Sequence, residues 1–464
     1  MADAGLERKR VIGEIVPARV LAMCSGITFM AFLDFTVVNL AFPDILQDFE
    51  NTPLDTLTWV VSGYAVMFAA LLAPAGRIAD SVGGRTVLLW SLGLFTLASL
   101  VCGLAPTIGL LIAGRFLQGA AAGGMIPAAL GLILATTPRE RIPRAVAIWS
   151  AAEGFSAVLG PAIGGLLVRV LDWRWVFFVN LPVGIALLAG GLAVLPGHVR
   201  VAGARWPDPI GSIALGVGIA GIVSALTEGG QWGWLDIRTI GLGLAGLLLV
   251  GVTVLRSRAH VSPAVDLAVW RSRTYRIACL GLALFSANMF AWNLPAPLFA
   301  TTIWDWTILE TGAALCIGAV ASMAGSLSAG RLRTPGTQVR VAIAAALLFA
   351  ASNAIWASNL FGSTPNFWTG WLPAALLGGF GLGLGFTCLS TLAAGAVEPL
   401  KFAAGLGMAV AARQIGGAVG VAGFAAIMLS SAEPGNLSSF HYVFIAALSV
   451  NILCALVVAA LMRK

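Results

Sequence analysis

Apolar runs of about 20 residues recur from one end of the chain to the other, separated by short polar breaks rich in Gly, Pro and charge. A run of that length matches a helix crossing a hydrocarbon core about 30 Å thick. The pattern predicts fourteen spans, at 19–42, 57–76, 86–105, 107–134, 143–169, 175–195, 209–227, 238–255, 275–300, 309–330, 340–358, 367–394, 402–430 and 440–461. Stretches such as GLGLAGLLLVGVTVL lack the alternation of a membrane β-barrel, so the barrel is excluded. The expected fold is all-α and integral to the membrane, with two six-helix halves at 1–195 and 275–464. A helix pair with its linkers is inserted between them at 196–274.

Charge supports this count independently. All but five of the 27 Lys and Arg fall in breaks on one side of the predicted membrane. Arg169, Arg174 and Arg238 fall on the other side, and Arg115 and Arg413 lie within spans. A miscounted helix would reverse the side of every later loop, so the asymmetry predicts a multi-pass protein with both termini cytosolic. The net charge of +7 then reads as a topology signal, and a nucleic-acid partner is not expected. The composition agrees, since a chain 59% hydrophobic and 10% charged has too few polar residues to cover a water-soluble globule. The six cysteines lie in apolar stretches without CxxC spacing and read as packing residues. The first apolar run, which contains Asp34, is too long for a signal peptide and reads as a retained span.

An internal repeat links the halves. Gly76-Arg77-Ile78 is echoed by Gly330-Arg331-Leu332, and Ile163-Gly164-Gly165 by Ile415-Gly416-Gly417, with the inserted pair left out of the alignment. Two similar halves around a midplane site suit alternating access. Four charges, Asp34, Arg115, Glu153 and Arg413, lie well inside predicted spans, where an unpaired charge costs several kcal/mol. Helical rise places Asp34 about 13 Å from Pro43 and Arg115 about 13 Å from Pro106, which puts the two at one depth. All four could therefore meet one midplane cavity. A carboxyl there is pulled up in pKa by desolvation and down by a guanidinium, so it can exchange a proton when either influence changes. A fixed structural pair between Asp34 and Arg115 is the alternative. Gln118 or backbone carbonyls are candidate partners for Arg413.

The motifs resemble a known family. LDFTVVNLAFPDI (33–45), GRIADSVGGR (76–85), RFLQG (115–119) and GPAIGG (160–165) occur in the order and at the depths of the major facilitator superfamily. Within it they are similar to the fourteen-helix drug:proton antiporter branch, as are WRWVFFVNLPVG (173–184), GGQWGW (229–234) and RQIGGAVG (413–420). In GRIADSVGGR, Gly76 and Gly84 permit a tight reversal, while Asp80 can cap the third span or pair with Arg77 or Arg85. Gly160, Pro161, Gly164 and Gly165 thin one face of the fifth span, for bending or for close packing.

The resemblance implies a proton-coupled antiporter that exports small lipophilic or cationic compounds, including antibiotics, from a monomer in the inner membrane. A lipid or natural-product exporter on the same scaffold is the alternative. The partners implied are the substrate, protons and the lipid bilayer, and no cofactor is expected beyond the proton gradient. The proton-coupling residues are then Asp34, Glu153 and Arg115. The expected substrate cavity holds Phe32, Asn39, Gln118, Asn288, Trp292, Asn293 and Arg413. Trp232, Trp234, Trp304 and Trp306 fit an interfacial belt. Enzyme chemistry is disfavoured, because no HExxH, GxSxG or nucleotide-binding GxxxxGK[ST] occurs.

Overall fold

The computed structural model describes residues 2–196, 206–292, 295–429 and 436–462, and the apolar runs there are helices throughout. In chain order the principal helices are α1 (Ala2–Asp48), α2 (Trp59–Val82), α3 (Gly84–Gly103), α4 (Ile108–Thr136), α5 (Ile142–Val170) and α6 (Asn180–Val194). The inserted pair is α7 (Pro209–Trp232) and α8 (Ile237–Ala259). Then come α9 (Arg273–Trp292), α10 (Pro295–Thr302), α11 (Ile308–Ala329), α12 (Pro335–Trp356), α13 (Leu372–Gly395), α14 (Phe402–Leu429) and α15 (Leu437–Ala459). Among the described residues, thirteen helical stretches are long and apolar enough to span a bilayer, and α9 and α10 lie where the remaining predicted span is expected.

Several boundaries differ from the hydropathy reading, each for a local reason. α1 runs on to Asp48, whose carboxylate accepts hydrogen bonds from Trp173 Nε1 at 2.8 Å and Arg174 Nη1 at 2.9 Å. The predicted ninth span is helical over Arg273–Trp292 and Pro295–Thr302, with residues 293–294 between them outside the described residues. α7 extends past residue 227 to Trp232, which brings Glu228 into the helix.

The bundle has two chemically distinct ends. One holds the basic breaks at 76–85, 137–144, 260–276 and 330–340, and is called the basic end below. At the opposite end helices start on their own caps. Thr107 accepts from Leu110 N, Asp236 from Arg238 N and Asn436 from Ser439 N, while Thr307 and Glu310 form a capping box. At the basic end α3, α5, α7 and α12 begin without a side-chain cap, and Gly83 makes the α2–α3 reversal at φ +108°.

The halves meet where α2 packs on α14 and α5 packs on α11. A single apolar core crosses this seam at the basic end, joining Leu130, Ile133 and Trp149 to Leu282, Leu406 and Ala409. At the opposite end each half has its own core. Leu33, Val37, Val60, Val176 and Phe177 form one. Phe299, Trp304, Trp356, Phe361, Trp371 and Phe440 form the other, with Trp356 and Phe361 stacked at 3.8 Å. Trp304 is thus buried among aromatics, and its indole N–H donates to the Gly362 carbonyl at 2.9 Å, so it is no part of an interfacial belt. α7 lies along the seam, packed on both α2 and α14.

The internal repeat is visible in the packing. A Cβ on Gly76 would lie 2.3 Å from the Ala403 carbonyl oxygen at the start of α14, and one on Gly330 would lie 2.7 Å from Ala147 Cβ near the start of α5. Corresponding glycines therefore let each half approach the other at the basic end. Gly160 and Gly164 pack on Thr36 and Val37 of α1, and Gly416 packs on Ala283 of α9, again in matching positions.

Candidate functional site

Asp34 and Arg115 meet inside the first half, both with fully buried side chains, and Arg115 Nη1 donates to Asp34 Oδ2 at 2.6 Å. The remaining capacity of the carboxylate is filled by Asn180 Nδ2 at 2.7 Å and Gln118 Nε2 at 3.2 Å, both on Oδ1. Gln118 also accepts from Arg115 Nη1 at 2.9 Å and donates to Ser99 Oγ at 2.8 Å. Arg115 Nε donates to the Val60 carbonyl at 2.9 Å, and the Tyr64 ring lies 4.4 Å from the guanidinium carbon. Such a network offsets much of the cost of an ionised pair in a low-dielectric interior, where either charge alone would be costly, and it leaves Arg115 Nη2 without a hydrogen-bond partner among the described residues. Gln118, expected on the cavity wall, lies within this network instead, because its helix turns it toward Asp34. Asn180 and Ser99 were not singled out by sequence; a lone Asn in the apolar run after WRWVFFV was the available signal for the first.

The second pair bridges the halves. Glu153 on α5 holds Arg413 on α14 in a two-pronged contact, with Arg413 Nη1 donating to Oε2 at 2.9 Å and Nη2 donating to Oε1. Glu153 is 16% exposed and Arg413 5%. Phe32 and Phe386 lie 5.7 and 5.1 Å from the Arg413 guanidinium, one from each half. Arg413 is thus partnered by Glu153, and Gln118 is committed elsewhere. The four buried charges form two separate sites, with Phe32 on α1, two residues from Asp34, touching the second. A void of about 10 Å³ beside Arg413 has room for a water at most.

Asn288 is buried and both of its amide atoms lack a partner among the described residues, while Asn353 donates to the Phe349 carbonyl at 3.0 Å. Asn39 is exposed and donates to its own helix at Phe35. Trp292 is the last described residue of α9, and Asn293 lies outside the described residues. A groove of about 680 Å³ on the second half is lined by Cys316, Ile317, Val320, Leu376 and Phe380. It is large enough for a drug-sized molecule but has no charged or amide side chain to orient one.

The 76–85 motif acts across the seam. Asp80 accepts hydrogen bonds from Ala403 N at 3.1 Å and Ala404 N at 2.9 Å, so it caps α14 of the other half. The expected roles, capping the third span or pairing with Arg77 or Arg85, are not taken. Arg77 Nε donates to the Pro263 carbonyl at 3.2 Å and Arg85 Nη2 to the Leu192 carbonyl at 2.8 Å. Gly84 packs against Leu132. α5 runs unbroken through Pro161, and a Cβ on Gly165 would make only ordinary contact, at 3.9 Å from Leu40.

Two helical halves with an interlocked seam at one end, separate cores at the other and charges buried inside fit a multi-pass membrane transporter. The comparisons agree. Residues 24–334 match the Major Facilitator Superfamily, and the chain belongs to that family. It is 34% identical to the puromycin resistance protein pur8 of Streptomyces alboniger, over 85% of this chain and 78% of that protein. It is 30% identical to the methylenomycin A resistance protein of Streptomyces coelicolor, over 89% and 86%. The multidrug export protein EmrB of Escherichia coli is 27% identical over 85% and 76%. In fold, the chain is similar to the crystal structure of the human organic anion transporter MFSD10, with a TM-score of 0.71 and 16% identity over 95% of this chain and 99% of that one.

Proposed function

We propose that this protein exports small lipophilic or cationic compounds of the antibiotic and drug type from the cytoplasm in exchange for protons. It sits as a monomer in a bacterial inner membrane with both termini in the cytosol. The relatives named for puromycin, methylenomycin A and multidrug export support the substrate class. The concentration of Lys and Arg at the basic end supports the orientation. With that end cytosolic, the apolar core shared across the seam faces the cytosol and the separate cores of the two halves face the outside.

The observation that carries proton coupling is the pair of buried carboxylates, each held by a guanidinium, one of them across the moving seam. Asp34 is the main proton carrier in this reading. Its protonation neutralises the partner of Arg115 and frees a cation inside α4, which the first half must then accommodate by repacking. Glu153 is the second: protonating it removes the charge that holds Arg413, and so loosens α5 from α14. A cationic substrate competes for the same carboxylates, which gives exchange of substrate against protons. The division into halves at 1–195 and 275–464 with 196–274 between them fits this motion, since the contacts that cross the seam, of α2 and α4 with α14 and of α5 with α11 and α13, can part without breaking either half. The test is flux of a panel of dyes and antibiotics in proteoliposomes under an imposed pH gradient. Movement of at least one compound opposite to the proton flow is expected. Flux that ignores the gradient across the whole panel would sink the reading.

A further inference from the structure

One buried carboxyl takes part in neither ion pair. Glu228 lies one turn before the end of α7 and is 1% exposed. Among the described residues its Oε2 atom has no hydrogen-bond partner, and no ion pair reaches it. The group beside it is the Ser62 hydroxyl of α2, itself buried. The other charges near it offer no neutralisation. Asp55, on the turn leading into α2, has the same sign. Arg238 of α8 is held by both oxygens of Asp236, at 3.1 and 3.2 Å. α14 meets α7 with apolar groups such as Ile415 and Ala418, and its Arg413 is held by Glu153.

Burial without a cation favours a neutral acid. The one Ser62 hydroxyl proton can go to the Thr58 carbonyl, 3.1 Å from Oγ, or to Glu228, so at most it supplies the carboxylate a single neutral donor. A bare carboxylate at this place would be desolvated with no cation to offset the cost.

We propose that Glu228 is a further proton-binding site, loaded when the basic end is closed, whose proton seats the inserted pair on α2. α7 packs on α2 and α14, which belong to opposite halves, so it cannot keep both contacts when the seam opens. The Glu228–Ser62 contact therefore lies on a surface that moves. The same stretch of α2 carries the Val60 carbonyl that accepts from Arg115 and the Tyr64 ring beside it. Gain or loss of the Glu228 proton would reach the Asp34–Arg115 site through that stretch. The proposal rests on the proton-coupled reading and deepens it, but its first test needs no transport.

The test uses the full chain in lipid nanodiscs. Infrared spectra at neutral pH should show a protonated-carboxyl C=O band in the wild type and in Asp34→Asn that is lost in Glu228→Gln. A band unchanged by Glu228→Gln would overturn the proposal. Spin labels on the opposite-end turns of α2 and α7 should move apart as the wild type is made alkaline, and should stay close in Glu228→Gln. Identical pH profiles in the two proteins would also overturn it. Should Glu228→Gln fail to fold, Ser62→Ala keeps the acid but removes the hydroxyl beside it, so the pH at which the band is lost should move; no shift counts against the proposal. If the wild type shows no gradient-driven flux, the proton-coupled reading fails while the infrared result still decides whether Glu228 holds a proton.

Discussion

Replacing Asp80 by Ala removes a cap that exists only when the basic end is closed, because the carboxylate is on α2 and the capped amides begin α14. Both bonds, at 3.1 and 2.9 Å, run from backbone N–H groups to an acid at a helix N-terminus. Removing an N-cap costs about 0.5–2 kcal/mol, and hydrogen bonds to a charged group lie at or above the upper end of that range. A net loss of about 2 kcal/mol allows for water reaching the freed amides. It falls on one side of the conformational equilibrium only, so the ratio of closed to open should drop about 30-fold, at about 1.4 kcal/mol per tenfold. The assay is the distance distribution between spin labels at Ser81 and at Leu400, which is 64% exposed. The wild type should give a short distance, and Asp80→Ala a large added population at longer distance. Asp80→Asn keeps an acceptor and should fall between them. If Asp80→Ala lowers the melting temperature and leaves the distances unchanged, the residue is a local turn cap and the argument fails.

Three further outcomes follow from the same geometry. Gly76→Ala would put a methyl group 2.3 Å from a backbone oxygen that has nowhere to retreat, so it should open the basic end more than Asp80→Ala; Gly330→Ala, whose nearest contact is a methyl at 2.7 Å, should do so less, and the same spin labels read both. Glu153→Gln strands Arg413 between two aromatic faces and should lower unfolding stability by about 3 kcal/mol, with a Glu153→Gln/Arg413→Met double variant recovering much of it in a thermal melt. The Arg256 guanidinium holds the Asp208 carboxyl below the usual carboxylate range. That pair's contribution is therefore present at neutral pH and is lost as pH falls through the lowered value; Arg256→Gln should remove this acid-side loss from a stability-versus-pH curve.

The helices were legible because a bilayer demands long apolar runs, and the basic end of the bundle because Lys and Arg accumulate in alternate breaks. The repeat was legible from two glycine-bearing motifs whose packing proves equivalent. What one chain's periodicity cannot give is which neighbour a side chain faces. Asp80 has local partners within reach in sequence, yet it caps a helix more than 300 residues away. The same limit hid the separation of the four buried charges into two sites, since equal depth does not imply a shared face. Glu228 escaped notice for a different reason: a span ending at 227 places it in a loop, whereas the helix continues through Trp232. Ser99 and Asn180 carry no charge, so nothing in a hydropathy pattern marked them as partners of Asp34.

The central claim is that Asp34 carries the coupling proton, and gradient-driven export by variants at this position in proteoliposomes tests it most directly. Asp34→Asn alone leaves Arg115 buried without its anion, a change that typically costs about 3–5 kcal/mol, so lost transport in that variant could reflect lost stability. The Asp34→Asn/Arg115→Gln double variant removes both charges and should melt closer to the wild type. The account predicts that both variants insert and bind substrate, and that neither exports against a proton gradient. A double variant that exports with the wild-type dependence on pH would contradict it.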